Sequence, residues 1–579
     1  MVFDYSRLPH EFPRRYVPQD MPFNWDSLSR LFDELKARPI STKEELEKWM
    51  SDEDELNSVI YERKALTTVN YSRQTDDDVF RTAYTEFVQE LEPQIKLAAF
   101  ELVRKYVAMP ARRELPPSQY MTTDRNRENL ARIFREANVP LEKEDARLVQ
   151  KYQSVMGAMS IPFKGEERTL QQMAKFLEET DRKLREEAWR LLTKRQLEDA
   201  WKLDEIYDGM VRIRDSIGRN AGFQNYRDYA FQQKNRFDYT PDDCLKFHDA
   251  VEKYFVPLSR EIDDERRRKM GLGRLMPWDL NADPEGKPPL APFGNAEELV
   301  KGCAKIFAQV DPKFSEYYDR MTALELRDLE SRKGKAPGGF QDEFTELKLP
   351  FIFMNAAKRD GDVRVLLHES GHSFHAFLMR DAGLPLYNSG QGIPAEFAEV
   401  ASTSMELIGG EHIEGAFYES EDARRSNREE VVSMVKLFCW VATIDSFQHW
   451  VYTSPGHSAD ERAEAWSRVF RRFSGLESYE GYEQALRYRW QRQLHLYQFP
   501  FYYIEYGIAT LGALGIWLRY RRDKTGAIAA YKRALSLGSS RPLPELFRAA
   551  ELPWDLGPGA VQAYAGELRS IWKSYAQSA

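Results

Sequence analysis

Along most of the chain, apolar residues recur every three or four positions between Glu, Lys and Arg, the spacing of helices that bury one face. The clearest stretches are residues 80–108, 166–200 and 295–310. Within the second, Arg182 to Ala200 consists mostly of good helix formers, and its charges read as a solvated face. Proline and glycine interrupt the pattern twice. Residues 277–294 (PWDLNADPEGKPPLAPFG) carry five prolines, which no helix continues through, and predict an ordered loop or hinge. Lys333 to Gln341 (KGKAPGGFQ) forms a second break, ahead of the one convincing run of strand material, LPFIFMN at 349–355. Residues 362–380 then read as a buried helix with Asp360 or Asp362 as N-cap. Residues 393–407 read as another, with Pro394 in its first turn.

Composition sets the frame for that pattern. A chain of 579 residues exceeds what one hydrophobic core sustains, so at least two lobes are expected, with a helical region over 1–200 and a second region over 201–579. Charged residues make up 30% and the net charge is -9, with both signs interspersed. No concentrated basic footprint exists for nucleic acid. Cys244, Cys303 and Cys439 are distant and odd in number. They imply neither a disulfide framework nor a thiolate metal cluster, and point to a reducing, cytoplasmic setting. The first twenty residues contain no apolar segment of signal-peptide length, and Arg14-Arg15 is followed by polar sequence. The longest apolar run, Ile508 to Leu518, is far short of the roughly 18–20 residues of a membrane span, so no membrane partner is expected.

The chemistry concentrates in His368-Glu369-Ser370-Gly371-His372. Residues four apart share a helix face, so both imidazoles can aim at one ion. Glu369 is rotated by about 100° from His368, which sets its carboxylate beside the ion as a base for water. Two histidines that were merely satisfied core residues would be costly to bury with a glutamate in one turn. A catalytic zinc site takes three protein ligands and keeps one open position. The following helix offers Glu396, Glu399 and Glu406. The small neighbours Ala398, Ala401 and Ser402 favour Glu399 without eliminating the other two.

HESGHSFH (368–375) followed by FAEVASTSME (397–406) resembles the thimet oligopeptidase and oligoendopeptidase F family of zinc peptidases. GKAPGGF (334–340), LPFIFMN (349–355), the Trp278-Asp279 pair and PFYYIEYGIATLGALGIW (500–517) resemble the oligoendopeptidase F branch. The resemblance covers residues 200–579 well and the first third only in its helical character. It implies one Zn2+ per chain held by His368, His372 and Glu399, with Glu406 supporting a histidine from behind and Glu369 as general base. It further implies a mainly α fold, in which two helical lobes bound a deep channel with the zinc helix on its floor and a small β-sheet beside it. Residues 1–200 would form part of the channel wall. Substrates would be short unstructured oligopeptides, laid as an added strand along Gly338-Gly339-Phe340 through Phe351–Asn355. His495, Tyr503 and Tyr506, with Tyr502 able to exchange roles with Tyr503, would bind the substrate backbone and the oxyanion. GGF stands where the family more often has Gly-Ala-Tyr, and the spacing from His495 to the tyrosines needs a one-residue shift. His375 reads as a structural hydrogen bonder. The chain is expected to work as a monomer or homodimer.

Two other readings use the same residues. A carboxypeptidase or dipeptidyl carboxypeptidase on a similar scaffold would need a cation for the substrate C-terminus. A peptide-binding helical protein with structural zinc would have no use for Glu369.

Overall fold

Helices account for most of the protein, and their ends follow capping chemistry present in the sequence. Thr42 with Glu45 forms a capping box before Lys43–Arg73, Thr240 with Asp243 one before Pro241–Lys269, and Ser458 with Glu461 one before Ala459–Phe473. The structure, a computed structural model, describes residues 4–389 and 392–577. The stretch expected as one helix over 80–108 is Asp78–Glu86, a π turn at Phe87–Leu91, and Glu92–Ala108. The helix expected over 295–310 is Ala296–Val310.

Residues 166–200 depart from a single helix. Strands β1 (Ser160–Phe163) and β2 (Glu166–Thr169) pair as a hairpin, and the helix begins only at Arg182. Lys164 and Gly165 both take positive φ (52° and 81°), the geometry of a two-residue hairpin turn. Strand material is also more extensive than LPFIFMN. β3 (Arg327–Glu330), β4 (Phe340–Phe344) and β5 (Leu349–Ala356) form a sheet in the order β3-β5-β4, with β5 parallel to β3 and antiparallel to β4.

The chain divides into two units. The first is Met1–Arg132, Ala291–Ala423 and Gly512–Trp554; the second is Ile133–Leu290, Arg424–Leu511 and Asp555–Ala579. The boundary expected at residue 200 falls inside the second unit, where only Asp199 separates helix Arg182–Glu198 from Ala200–Asn220. Contacts rather than chain order make the units, since each is assembled from three separate stretches. Among the described residues no helix is long and apolar enough to cross a membrane.

In the first unit the three-stranded sheet lies against helix Asp360–Asp381. Phe351, Ile352 and Phe353 of β5 and Leu366, Leu367 and Phe374 of the helix are fully buried. Phe314 stacks on Phe374, and Tyr317 on Phe377, each with ring centroids 4.8 Å apart. The break before β4 is tied down: the Asn355 amide donates to the carbonyls of Ala336 (2.8 Å) and Gly338 (2.9 Å). In the second unit the proline-rich segment is anchored where it begins. The Asp279 carboxylate, with no exposure, accepts from Arg182 (2.9 Å) and Arg185 (3.3 Å), and Trp278 packs on Trp189.

Candidate metal centre

Helix Asp360–Asp381 is buried on most of its sides, polar residues such as Glu369, Ser370, Ser373 and His375 included, which marks an element enclosed by its neighbours. The expected N-cap is Asp360 or Asp362; the cap position is Arg359, and Asp362, at the third helical position, accepts from the N–H groups of Arg359 (2.9 Å) and Ala357 (2.7 Å). The next helix is Ala395–Gly410, with Pro394 at its N-cap.

The two helices meet backbone to backbone. A Cβ at Gly371 would lie 2.7 Å from Ser402 Cα and 2.8 Å from the Ala401 carbonyl oxygen, so only glycine permits this approach. Tyr531 donates its hydroxyl to the same Ala401 carbonyl (2.7 Å) and ties the second helix down there. As a result one oxygen of Glu399 stands 3.3 Å from His368 Nε2 and 3.8 Å from His372 Nε2. Ser402 donates to the same oxygen (3.2 Å). Glu406, two turns on, places an oxygen 3.2 Å from His368 Nδ1. Glu396, although buried, lies outside the group formed by His368, His372 and Glu399.

These residues fit a zinc ion. One ligand atom from each of the three lies within 4.8 Å of the others. Ligands about 2.05 Å from a tetrahedral zinc ion stand about 3.3 Å apart, close to the separations observed, and an N2O donor set suits zinc. Burial pushes the His368 imidazole down, but Glu399 and Glu406, one at each ring nitrogen, hold it well above its ordinary value. Burial lowers His372 to about 4, which keeps its ring neutral and able to coordinate. Both imidazoles are half-buried and keep some exposure to solvent.

Glu369 is buried beside this group. Burial, reinforced by Glu399 and Glu406, raises its carboxyl to about 7, opposed by His368 and by the backbone N–H of Gln341. That N–H belongs to β4, whose second edge carries no strand among the described residues. The strand edge expected from the sequence needs amending here. β5 is the central strand, paired on both sides, so Phe351–Asn355 offers no edge, and only Phe340 and the residues after it in β4 do. Gly338 and Gly339 lie exposed just before β4. His375 is buried and hydrogen bonds the Leu535 carbonyl.

His495 and the tyrosines belong to the second unit, where they form a cluster of their own. The His495 ring lies 4.9 Å from Tyr503, 5.8 Å from Tyr502 and 5.9 Å from Tyr506, centroid to centroid. Gln493 Nε2 sits 2.8 Å from His495 Nδ1, while its Oε1 accepts from the Trp440 indole. The cluster is not one continuous helix. His495 lies in the short helix Leu494–Gln498, Phe501 turns the backbone at φ 61°, and a new helix starts at Tyr503. This turn is the physical origin of the irregular spacing between His495 and the tyrosines.

Sequence reasoning named Ser402 only as a small neighbour of Glu399, and did not single out Gly371, Gln493 or the Gln341 N–H. A glycine inside an otherwise helical pattern, asking for a packing reason, was the signal available for Gly371. If Glu406 fixes His368 as the geometry indicates, Glu406→Gln should weaken zinc binding about 10- to 100-fold, read by competition with a chromophoric chelator. Unchanged affinity would leave that contact without a role.

Comparison with known proteins extends this picture beyond the two helices. The profile of Peptidase family M3 matches residues 175–553. The plasmid oligoendopeptidase F of Lactococcus lactis subsp. cremoris is 23% identical over 55% of this chain and 52% of its own, and an oligoendopeptidase F homolog of Borreliella burgdorferi 24% over 42% of each. The chain thus spans about half the length of the curated relatives it matches. Solved structures match throughout: Pz peptidase A with an inhibitor at 28% identity and TM-score 0.89, covering 99% of both chains. A Bacillus anthracis structure provisionally assigned to oligoendopeptidase F has 26% identity and TM-score 0.84, covering 97% of this chain and 99% of that one. With the histidine and glutamate helices lying inside the matched residues, the chain belongs to peptidase family M3, in its oligoendopeptidase F branch.

Proposed function

We propose that this chain is a zinc-dependent endopeptidase that cuts internal bonds of short, unstructured oligopeptides. The observation that carries the reading is the convergence of His368, His372 and Glu399 with the Glu369 carboxyl set beside them. When bound there, zinc supplies Lewis acidity, polarising a carbonyl oxygen and lowering the pKa of water. Glu369 takes the proton of the attacking water and delivers it to the leaving amine, for which a carboxyl raised towards neutrality is suited. Glu406 orients His368 through its Nδ1.

The free edge of β4 supports binding of an extended peptide through backbone hydrogen bonds, a mode indifferent to most side chains. Gly338 and Gly339, without side chains, leave the approach to that edge open, and Phe340 begins it. His495, Tyr503 and Tyr506, with Tyr502 beside them, enter the proposal as donors to the substrate backbone and the developing oxyanion; the resemblance of their segment and their mutual packing support them. Cys303 and Cys439 are buried free thiols, which supports a reducing, cytoplasmic setting.

The test is mass spectrometry of products from a mixture of peptides blocked at both ends. Internal cleavage, abolished by a chelator and restored by zinc, is expected. Cleavage confined to peptides with a free C-terminus would turn the assignment to a carboxypeptidase, and no cleavage with zinc bound would turn it to a structural site.

A further inference from the structure

A second group of metal-binding side chains lies in the second unit, unrelated to the first in sequence. Helix Pro241–Lys269 presents Cys244 and, one turn on, His248. Helix Ser420–Thr453 presents Asp445 and, one turn on, His449. Cys244 and Asp445 have no exposure, His248 1% and His449 5%. One ligand atom from each of Cys244, Asp445 and His449 lies within 4.8 Å of the others. No other such group occurs among the described residues besides the HESGH site.

Hydrogen bonding explains this cluster only in part. His248 Nε2 lies 2.8 Å from Asp445 Oδ2, a good hydrogen bond. His449 Nε2 lies 3.3 Å from the same oxygen, an ion pair within one helix, while Asp445 Oδ1 and His449 Nδ1 make no hydrogen bond. Buried polar atoms left in that state are costly, and a shared ion among these side chains would relieve the cost. Aromatic rings wall the cluster: Phe231 and Phe501 make T-shaped contacts with His449, and Phe473 with His248.

We propose that Cys244, Asp445 and His449 form a second, structural site for a zinc-class divalent ion, with His248 holding Asp445 from behind. Loading the site releases the proton of the Cys244 thiol, and the thiolate, the imidazole and the carboxylate bind the ion. The ion cross-links the two helices. It also braces the turn between His495 and the tyrosines, because Gln448, next to His449, accepts the backbone N–H of Phe501 (3.0 Å).

The experiment is a Co2+ titration of the full-length protein after exhaustive chelation, following thiolate-to-cobalt charge-transfer absorption. The HESGH site contains no sulfur, so this signal reports the second site alone, whatever the first one does. The band is expected in the wild type, to persist in His372→Ala, where it should saturate at one Co2+ per chain, and to vanish in Cys244→Ser. His449→Gln should weaken it about 10- to 100-fold. Zinc loading should raise the melting temperature of His372→Ala. A wild-type protein that gives no thiolate band, or a band that survives Cys244→Ser, overturns the proposal, and the wild-type titration decides even where a variant fails to fold.

Discussion

Glu369→Gln is expected to bind zinc as the wild type does and to lose about 10²- to 10⁴-fold in kcat, on the order of 3–5 kcal/mol of transition-state stabilisation. Glutamine keeps the size of the side chain, and its oxygen still accepts from the Gln341 N–H, so the buried position stays filled and bonded. It cannot take a proton. Because Glu369 stands beside the ligand group and not in it, zinc content should not change. The pH profile carries the same information. A base works only when deprotonated, so the wild-type kcat/KM should rise with pH through the Glu369 pKa. Burial and the neighbouring carboxylates put that carboxyl near 7, and a cation at the site acts oppositely, so the acid limb should fall below pH 7. The residual rate of the variant should lack that limb. Retained activity in Glu369→Gln would remove this residue from the chemistry.

Gly371→Ala is the second large effect, and it runs against helix propensity. Alanine inside a helix is favoured over glycine by about 1 kcal/mol, so propensity alone predicts a stabler protein. The added Cβ, however, meets Ser402 Cα at 2.7 Å and the Ala401 oxygen at 2.8 Å. Both are backbone atoms and cannot rotate away. Relief requires the helices to part by roughly 1 Å, at an overpacking cost of about 1–3 kcal/mol that outweighs the propensity gain. The consequence for the metal is greater, because Glu399 rides on the displaced helix and ligand geometry tolerates only about 0.5 Å. Zinc affinity is expected to fall tenfold or more while the melting temperature drops by only a few degrees. Gly409→Ala is the natural control: its Cβ meets the tip of the Leu367 side chain, which can repack. Equal zinc affinity in Gly371→Ala and wild type would show that helix spacing does not set the ligand positions.

What could be read beforehand follows from how local each feature is. His368, Glu369 and His372 lie within one helical turn, so their mutual placement was fixed by helix geometry alone. Glu399 was legible as one of three carboxylates, singled out by its small neighbours and by the family resemblance, because its position depends on how closely two helices pack. That closeness is set by Gly371, which sat in full view inside the motif and was passed over as a spacer. The strand β3 (RDLE) escaped notice because its pairing with β5, and not its own residues, makes it a strand. The hairpin at 160–169 escaped for a related reason: EERT is polar enough to pass for a helix start, and only Lys164-Gly165 marks the turn. The left-handed backbone at Phe501 has no signature in residue type, which is why the register of His495 against the tyrosines could not be settled from spacing. The division into units was least legible of all, since units built from three stretches each leave no boundary in composition.

The measurement that bears most directly on the account is anomalous diffraction from crystals of the zinc-loaded protein, recorded on either side of the zinc absorption edge. The account predicts a peak about 2 Å from His368 Nε2, His372 Nε2 and the Glu399 carboxylate, with the Glu369 side chain beside it. A zinc-replete crystal with no anomalous density there, or with the ion held by other residues of the first unit, would contradict it.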